Sequence, residues 1–360
     1  MAICRLKVSN VRNLSVSVAP SPKVNLFFGE NGSGKTSLLE SVCFLAIAKS
    51  FRTNKLKPVV RNGCRSCTVF GEVLTTNYMV SVGVTRSLDH QPLIHLNGRS
   101  SGSVVDLAFI LPVQLMHPKL FTCLEDGPQI RRRLMDWGVF HQFPIFWSAW
   151  KKMQTSLKQR NKLLKYCVNR EKELKAWTQT FIDSALIVDK LRSDYMSLLV
   201  PELEALLQMM TGLAGIRLVY CRGWSKGVAL EDALSRDIDK DKLSGFTYSG
   251  PQRADIKLTY NGASVVETLS RGQQKIVVCA IKLAQGKLFE RLKKRACVYL
   301  IDDLLSELDE KNCALLVSVL NEMQSQVWVT GVDENALRKT FLSSEEKKVF
   351  HVKHGRLCSV

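Results

Sequence analysis

The chain has 360 residues, 46% of them hydrophobic, which is enough to build a core in two domains or in one domain with a large insertion. Its 51 Lys and Arg residues exceed its 33 Asp and Glu residues by 18, and this excess indicates a polyanionic partner, with nucleic acid favoured over an anionic membrane surface. No run of eighteen apolar residues and no signal-peptide hydrophobic segment occurs, so we expect a cytoplasmic location and no membrane partner. The eleven Cys residues are scattered and odd in number, which favours reduced thiols over a disulfide framework.

The first part of the chain predicts two short strands around Arg12, followed by an apolar strand over 24–28, a glycine-rich turn and a helix from Ser37. The turn matches G-x-x-x-x-G-K-[ST] in full. Glycines at these positions let backbone N–H groups surround a polyphosphate, and the helix N-terminus adds its positive end. We therefore predict a nucleoside triphosphate site, with Lys35 at the β- and γ-phosphates and the Thr36 hydroxyl on Mg²⁺. The predicted binding residues are Gly29, Glu30, Asn31, Gly32, Ser33, Gly34, Lys35 and Thr36.

A basic stretch and a β-rich flank follow the loop helix. Six cationic residues lie between 49 and 65 and either contact DNA phosphates or form a solvated surface: Lys49, Arg52, Lys55, Lys57, Arg61 and Arg65. Residues 67–98 alternate apolar and polar side chains and contain Asn97-Gly98, which predicts antiparallel strands with a tight hairpin. Cys64 and Cys67 form the one C-x-x-C, but no second pair lies at zinc spacing, so we predict a structural turn and no metal site.

The middle of the chain changes from strand to helix. Phe109 to Gln114 is typical of a strand that ends in a glutamine, and Pro128 is suited to the first turn of the next helix. From Trp147 the apolar residues follow a long-helical spacing, and a second helix is predicted from Trp177 to Leu199, ended by Pro201. The seam of the first helix is formed by Trp150, Met153, Leu157, Leu164, Cys167 and Leu174.

These two helices predict a short antiparallel coiled-coil arm. Lys151, Lys158, Lys165 and Lys172 recur every seven residues, so they form one row beside the apolar seam. The row is either the solvated face of the arm or a stripe that faces DNA.

The last part of the chain carries two further motifs. The segment L-S-R-G-Q-Q-K, residues 269–275, precedes a helix from Ile276 to Leu288, and its serine, glycine and helix N-terminus form a second phosphate-recognising surface. The apolar strand 296–301 ends in Asp302 and Asp303. The first carboxylate is expected to hold Mg²⁺ through water, and the second to orient or deprotonate the attacking water. The strand 327–331 places Thr330 near the same sheet edge.

The order of these motifs resembles the ATP-binding-cassette head of the SMC-like class. In that class two heads enclose two ATP molecules, and the signature segment of one subunit caps the γ-phosphate held by the other. The resemblance implies that Ser270, Arg271, Gly272 and Gln273 contact ATP across a dimer. It also implies that Gln114 links Mg²⁺ to the lobes of the head, as both a catalytic and a metal-binding residue.

Within this class, the chain resembles the bacterial RecF family of recombination mediators in a set of segments spread over nearly the whole chain. They are Arg12-Asn13-Leu14, Ser50-Phe51-Arg52, residues 157–161 (L-K-Q-R-N), residues 249–255 (S-G-P-Q-R-A-D), L-S-R-G-Q-Q-K and residues 302–309 (D-D-L-L-S-E-L-D). This resemblance implies an α/β P-loop head, made of a mixed sheet with a β-rich flank, that carries an inserted helical arm. The expected division is head over 1–125, arm over 126–244 and head again over 245–360, with Arg12 among the nucleotide contacts.

The same resemblance implies a function in DNA repair. It implies a cytoplasmic protein with weak, DNA-stimulated ATPase activity that dimerises on ATP and binds gapped DNA at single-strand/double-strand junctions. It further implies partnership with RecR and RecO in loading RecA during repair, replication restart and the SOS response. Two departures from the family pattern are Gln252, where His is usual, and Asp303, where most relatives outside RecF carry Glu. The aspartate side chain is shorter than that of glutamate, and this shorter reach predicts slow hydrolysis.

Three alternative functions fit parts of the pattern. A metabolic P-loop kinase does not account for L-S-R-G-Q-Q-K or for the basic excess, and a transporter ATPase subunit needs neither the arm nor the charge. A structural SMC-type clamp needs much longer coils than the roughly 100 residues available can form at about 1.5 Å per residue.

Overall fold

The computed structural model describes residues 1–100, 102–166, 170–213, 215–344 and 346–359. Its strands, numbered in chain order, are β1 (Ala2–Val11), β2 (Leu14–Val18), β3 (Val24–Phe28), β4 (Ser66–Leu74), β5 (Met79–Ser87), β6 (Leu93–Leu96), β7 (Val113–Met116), β8 (Ile216–Cys221), β9 (Asp255–Tyr260), β10 (Ala263–Ser264), β11 (Val298–Ile301), β12 (Gln326–Gly331), β13 (Lys347–Lys353) and β14 (Arg356–Ser359). Its α-helices are α1 (Lys35–Ile47), α2 (Val104–Ile110), α3 (Pro128–Gln142), α4 (Phe146–Tyr166), α5 (Glu171–Thr211), α6 (Leu230–Arg236), α7 (Ile238–Ser244), α8 (Val265–Thr268), α9 (Arg271–Lys293), α10 (Leu304–Glu307), α11 (Glu310–Glu322) and α12 (Glu334–Thr340).

The chain folds into two compact units. The first comprises Met1–Phe121 and Arg271–Val360, and the second comprises Thr122–Ser270. The predicted fold class, a mixed α/β head with a β-rich flank and an inserted helical part, is confirmed. The boundaries expected from the sequence stay a prediction, and the second unit reaches beyond them to Ser270. Within the described ranges, no helix combines the length and apolarity needed to cross a membrane.

The central sheet of the first unit has the strand order β14-β13-β3-β12-β11-β7. Its five strands from β13 to β7 are parallel, and β14 pairs antiparallel with β13. Phe27 on β3 stacks on Trp328 of β12 at 5.2 Å and on Phe350 of β13 at 5.0 Å, which packs the middle of the sheet. Because parallel strands end at one edge, the segments that follow β3, β11 and β12 meet there.

The predicted β-rich flank is confirmed as an antiparallel sheet of order β2-β1-β4-β5-β6. Asn97 and Gly98 have φ angles of 50° and 79°, and Leu96 and Arg99 exchange backbone hydrogen bonds across them. Both φ angles are positive, as in the type I′ turn that Asn-Gly favours. Residues of this sheet, of α1 and of the central sheet share one apolar core.

The strand predicted to end in Gln114 was wrong in its bounds. Phe109 belongs to α2, which begins with a capping box in which Ser103 accepts from the Asp106 N–H and donates its own N–H to the Asp106 carboxylate. The strand β7 begins only after Pro112, and Gln114 is its second residue. The capping signal outweighs the apolar run that suggested a longer strand.

The second unit contains the two long helices predicted as an arm, α4 and α5, which pack against each other. Met153, Leu157 and Leu164 of the predicted seam are buried, whereas Cys167 lies outside the described residues. Lys151, Lys158 and Lys165 are exposed on α4, but Lys172 belongs to α5, so the predicted row of four is a row of three.

Pro201 was predicted to end the second helix, and this was wrong, because α5 continues to Thr211. A proline inside a helix leaves the carbonyl four residues earlier without its N–H partner. Here both Pro201 and Ser197, the residue that carries this carbonyl, are exposed, so water reaches the group. On the other face Leu199 and Leu203 are buried, and the packing of this apolar stripe sustains the helix.

Candidate nucleotide site

The phosphate loop lies between β3 and α1 and is shaped by contacts with the end of β13. Gly29 has a φ of 148°, and a Cβ added there would lie 2.2 Å from the carbonyl oxygen of Val352. Only glycine fits this position, because an L side chain would both strain the backbone and collide with the neighbouring strand. The loop predicted from the sequence is thus held in a defined curve at the edge of the central sheet.

Lys35 points into this curve. Its Nζ donates to the carbonyl oxygens of Gly29 at 2.6 Å and Glu30 at 2.9 Å. Burial lowers the pKa of the ammonium, while the nearby carboxylates of Asp303 and Asp302 act in the opposite direction. The Lys35 ammonium therefore lies inside the loop, where it can contact the phosphates of a bound nucleotide.

The two carboxylates and two hydroxyls expected at the strand ends are brought together. Thr36 Oγ1 donates to Asp302 Oδ1 at 3.0 Å, and Thr330 Oγ1 donates to the same oxygen at 2.7 Å. The N–H of Asp303 donates to Thr330 Oγ1 at 2.9 Å. Burial raises the pKa of Asp302, and the hydrogen bonds from Thr330 and Thr36 oppose that rise. The predicted position of Thr330, near the same sheet edge, is confirmed.

This cluster fits a Mg²⁺ ion. The hydroxyl of Thr36 and the carboxylate of Asp302 are hard oxygen donors, their oxygens lie 3.0 Å apart, and Mg²⁺ is bound in proteins by one or two such groups together with phosphate oxygens and water. Among the described residues no cationic side chain hydrogen-bonds to the buried Asp302 carboxylate, so a bound cation would compensate its charge.

The turn between β13 and β14 braces the phosphate loop, a contact that sequence reasoning missed. The N–H of Gly355 donates to the carbonyl oxygen of Ser33 at 2.8 Å, and the side-chain amide of Asn13 donates to the same oxygen at 3.2 Å. Gly355 is so close to Asn13 that an added Cβ would lie 2.2 Å from the Asn13 carbonyl oxygen. Two distant parts of the chain, the β13–β14 hairpin and the turn at Asn13, thus fix the loop's outer side.

Arg12 was predicted as a nucleotide contact, and the structure pairs it with Glu40. Its guanidinium forms a two-pronged ion pair with this fully buried carboxylate and donates to the Pro58 carbonyl oxygen at 3.1 Å. The hydrogen bond that Arg12 donates to Glu40 raises the pKa of Arg12. Ser50 also donates to Glu40. The nucleotide role of Arg12 stays a prediction. Glu40 was missed, although one acidic residue in the apolar run L-L-E-S-V-C-F-L-A was a usable signal.

The predicted signature residues Ser270, Arg271, Gly272 and Gln273 are exposed and lie at the start of α9. Lys275, one turn into the helix, forms an ion pair with Glu307 at 2.7 Å and donates to the Glu307 carbonyl oxygen at 3.0 Å. This pair ties the first turn of α9 to α10, which directly follows the acidic cluster. A helix N-terminus with exposed serine and glycine is a surface suited to a phosphate.

Gln114 does not lie with the acidic cluster. Its side chain is fully buried in the interior of β7, where Nε2 is 3.4 Å from Gln285 Oε1 of α9. Gln114 pairs in register with Tyr299, three residues before Asp302. This location favours a packing role over the metal and catalytic roles expected from the resemblance, which stay without support from the geometry.

The fold and the site define a P-loop ATPase head of the SMC type. A family model described as the RecF/RecN/SMC N terminal domain matches residues 2–357. The DNA replication and repair protein RecF of Cellvibrio japonicus is 42% identical over 361 residues, covering 99% of both chains. The protein of the same name from Pseudomonas putida is 41% identical over 359 residues, covering 99% of this chain and 98% of its own. The chain therefore belongs to the RecF/RecN/SMC family and, within it, to the RecF proteins.

Solved structures support the fold independently. The recombination mediator protein RecF with ATP superposes with a TM-score of 0.89 at 22% identity, covering all of this chain and 97% of the other. An Smc head bound to the C-winged helix domain of ScpA gives a TM-score of 0.60 at 14% identity, covering 100% of this chain and 98% of the other. At these identities the likeness shows a shared head architecture.

Proposed function

We propose that this protein is an ATP-dependent, DNA-binding recombination mediator with weak, DNA-stimulated ATPase activity. One observation carries the proposal. Lys35, Thr36, Asp302 and Thr330 are assembled at one sheet edge, as ATP and Mg²⁺ require, in a chain that aligns over 99% of its length with RecF proteins. The ATP bound in a solved RecF relative supports ATP as the nucleotide.

In the proposed mechanism ATP joins two copies of the chain. The phosphate loop and Lys35 bind the phosphates of one ATP, and the exposed residues Ser270 to Gln273 of a second copy complete the site. Mg²⁺, when bound, would offset the charge of the phosphates, with Thr36 and Asp302 holding it. Asp303 orients and deprotonates the attacking water, and loss of the γ-phosphate releases the two subunits.

The nucleic-acid side of the proposal is supported by charge. The excess of 18 basic residues favours a polyanion, and Lys49, Arg52, Lys55, Lys57 and Arg65 are exposed. We infer gapped DNA, at the junction of single and double strand, as the substrate, and RecR and RecO as partners in loading RecA. On this proposal the protein acts in the cytoplasm in DNA repair, replication restart and the SOS response. The names of the RecF relatives, which refer to DNA replication and repair, support this role.

A mobility shift on gapped DNA, with and without ATP, tests the proposal. We expect tighter binding with ATP, and a DNA-indifferent result would favour a kinase or a transporter subunit. Lys35→Met and Ser270→Arg should abolish ATP-dependent dimers, measured by light scattering, because one removes the phosphate contact and the other fills the capping surface. Lys226→Met, at an exposed lysine of the second unit, is the control. A Ser270→Arg protein that still dimerised with ATP would exclude the role of the signature across the dimer.

A further inference from the structure

One end of α4 in the second unit carries an exposed apolar and aromatic surface that the nucleotide site does not use. It comprises the exposed side chains of Tyr166, Leu243 and Phe246 and the half-buried Tyr248, which together we call the aromatic end surface. Tyr166 is 68% exposed, Leu243 91% and Phe246 55%. Large apolar side chains grouped at such exposure usually mark a binding surface, because leaving them in water has a free-energy cost.

The backbone under this surface is firmly held. Thr247 donates its N–H and its hydroxyl to Asn161 Oδ1 at 3.0 and 2.7 Å. Arg160 forms a fully buried ion pair with Asp241 at 2.8 Å. Gly245 lies against Lys165, since a Cβ added there would be 3.0 Å from the lysine Cβ. The end of α4 and the segment after α7, which carry the aromatic side chains, are therefore held against each other on a rigid base.

The charges around the aromatic end surface are mainly positive. Lys165, Lys240, Lys242 and Arg253 are exposed around it, with Asp239 as an exposed carboxylate on α7. Lys240 Nζ lies 3.9 Å and Arg253 Cζ 5.4 Å from the centre of the Tyr248 ring. Lys165 is also the last member of the exposed lysine row on α4, which continues through Lys158 to Lys151 at spacings of about 10 Å.

Aromatic rings next to a track of cations suit one class of partner. Proteins that bind single-stranded nucleic acid combine a basic track along the phosphates with rings on which successive bases stack. A duplex offers no free base face, since its bases are already stacked on each other. An acidic protein partner would use the charges, but it would not need exposed aromatic rings beside a row of lysines.

We propose that the aromatic end surface binds single-stranded DNA, with bases on Tyr166 and Phe246 and phosphates along the lysine row. The inference rests on the proposed DNA-binding function and deepens it, because it assigns the single-stranded side of a gap to this surface. It also favours DNA over solvent as the partner of the lysine row.

The test compares the full-length protein with Tyr166→Ala/Phe246→Ala on a fluorescent oligo(dT) strand and on a blunt duplex. Base stacking on an aromatic ring contributes enough that we expect oligo(dT) affinity to fall at least about fivefold per ring, with duplex affinity unchanged. Lys165→Gln should reduce the slope of log affinity against log salt by about 0.7, the value for one lost single-strand phosphate contact. Both rings are exposed, so their removal should leave the fold intact. ATP-dependent dimerisation of the double variant is the check on folding.

The matched control is Tyr78→Ala, which removes a tyrosine of 63% exposure from the first unit and should leave oligo(dT) affinity unchanged. Tyr166→Trp keeps an aromatic face and should retain binding, with its indole fluorescence quenched by oligo(dT). Unchanged oligo(dT) affinity in the double variant would overturn this inference alone. An equal loss of affinity for duplex and single strand would also overturn it. The same holds if the double variant changes only in self-association or protein binding. Absence of DNA binding in the unaltered protein would instead overturn the proposed function together with the inference.

Discussion

Replacing Gly355 by alanine should loosen the phosphate loop from outside, without touching any group that meets ATP. Gly355 lies in the turn between β13 and β14, has a φ of 74° and donates its N–H to the carbonyl oxygen of Ser33. The added methyl group would lie 2.2 Å from the carbonyl oxygen of Asn13. Because an ordinary van der Waals contact begins at 3.4 Å, the turn and Asn13 must separate by about 1.2 Å or more.

The expected magnitude follows from three contributions. A positive φ costs an alanine about 1 kcal/mol relative to glycine. Separation of the turn from Asn13 stretches the hydrogen bond from Gly355 to Ser33, which is worth about 1 kcal/mol. It also disturbs the Asn13 amide, which donates to Ser33 and, at 3.4 Å, to Gly32. We expect a loss of about 2 to 3 kcal/mol in unfolding free energy and roughly tenfold weaker ATP binding, because the loop no longer rests in its binding shape.

Isothermal titration with ATP and Mg²⁺, together with urea unfolding, measures both effects. The control is Gly98→Ala, since Gly98 has a φ of 79° and no atom within 4 Å of the added methyl group. It should show the backbone strain alone, about 1 kcal/mol, with unchanged ATP affinity. If both variants lose equal stability and neither changes ATP affinity, the turn does not support the phosphate loop.

Three further variants test the site. Asp303→Asn should keep ATP-driven dimers and lose ATP turnover, measured by phosphate release, since asparagine tolerates the φ of 53° but is not a base; rapid residual hydrolysis would exclude Asp303 as the catalytic acid–base group. Asp302→Asn should stabilise the nucleotide-free protein towards urea at pH 7, because it removes a buried charge and still accepts from Thr36 and Thr330. Since the raised pKa of Asp302 makes the folded state bind the proton first, this advantage should shrink as pH falls through that pKa towards 3.8, and a pH-independent advantage would contradict the cause given. Glu40→Ala should cost about 3 kcal/mol in urea unfolding by leaving Arg12 unpaired, and the double variant with Arg12→Ala should cost less than the sum of the single changes.

The parts of the site that the sequence predicts are those in which local chemistry and strand position agree. The phosphate loop needs Gly29 and Lys35 at fixed spacing directly after an apolar strand, and Asp302 also follows an apolar strand. The local sequence of each motif therefore predicts that it lies at the sheet edge. The turn at Asn97-Gly98 was equally predictable from the sequence, because only a few residue pairs accept two positive φ angles.

The missed features depend on contacts between distant parts of the chain or on packing that outweighs a local rule. Nothing near Gly355 indicates that it meets Ser33, and the pairing of Arg12 with Glu40 joins a strand turn to a helix. Pro201 is a helix breaker by local preference, yet it sits on the exposed side of a helix held by its apolar face. The metal role predicted for Gln114 rests on analogy with a motif, and its place as the second residue of β7 lends that role no support.

The position of β3 in the central sheet has a consequence for how the protein is made. Val24 of β3 pairs with Val327 on one side and with Lys347 on the other, so the strand that carries the phosphate loop has no neighbour until almost the whole chain exists. At about 5 to 20 residues per second, a ribosome needs roughly 15 to 60 seconds to supply those partners. An incompletely synthesised chain would therefore display the phosphate loop without the strands that shape it. We therefore expect the chain to acquire its ability to hold ATP only after β12 and β13 have been synthesised.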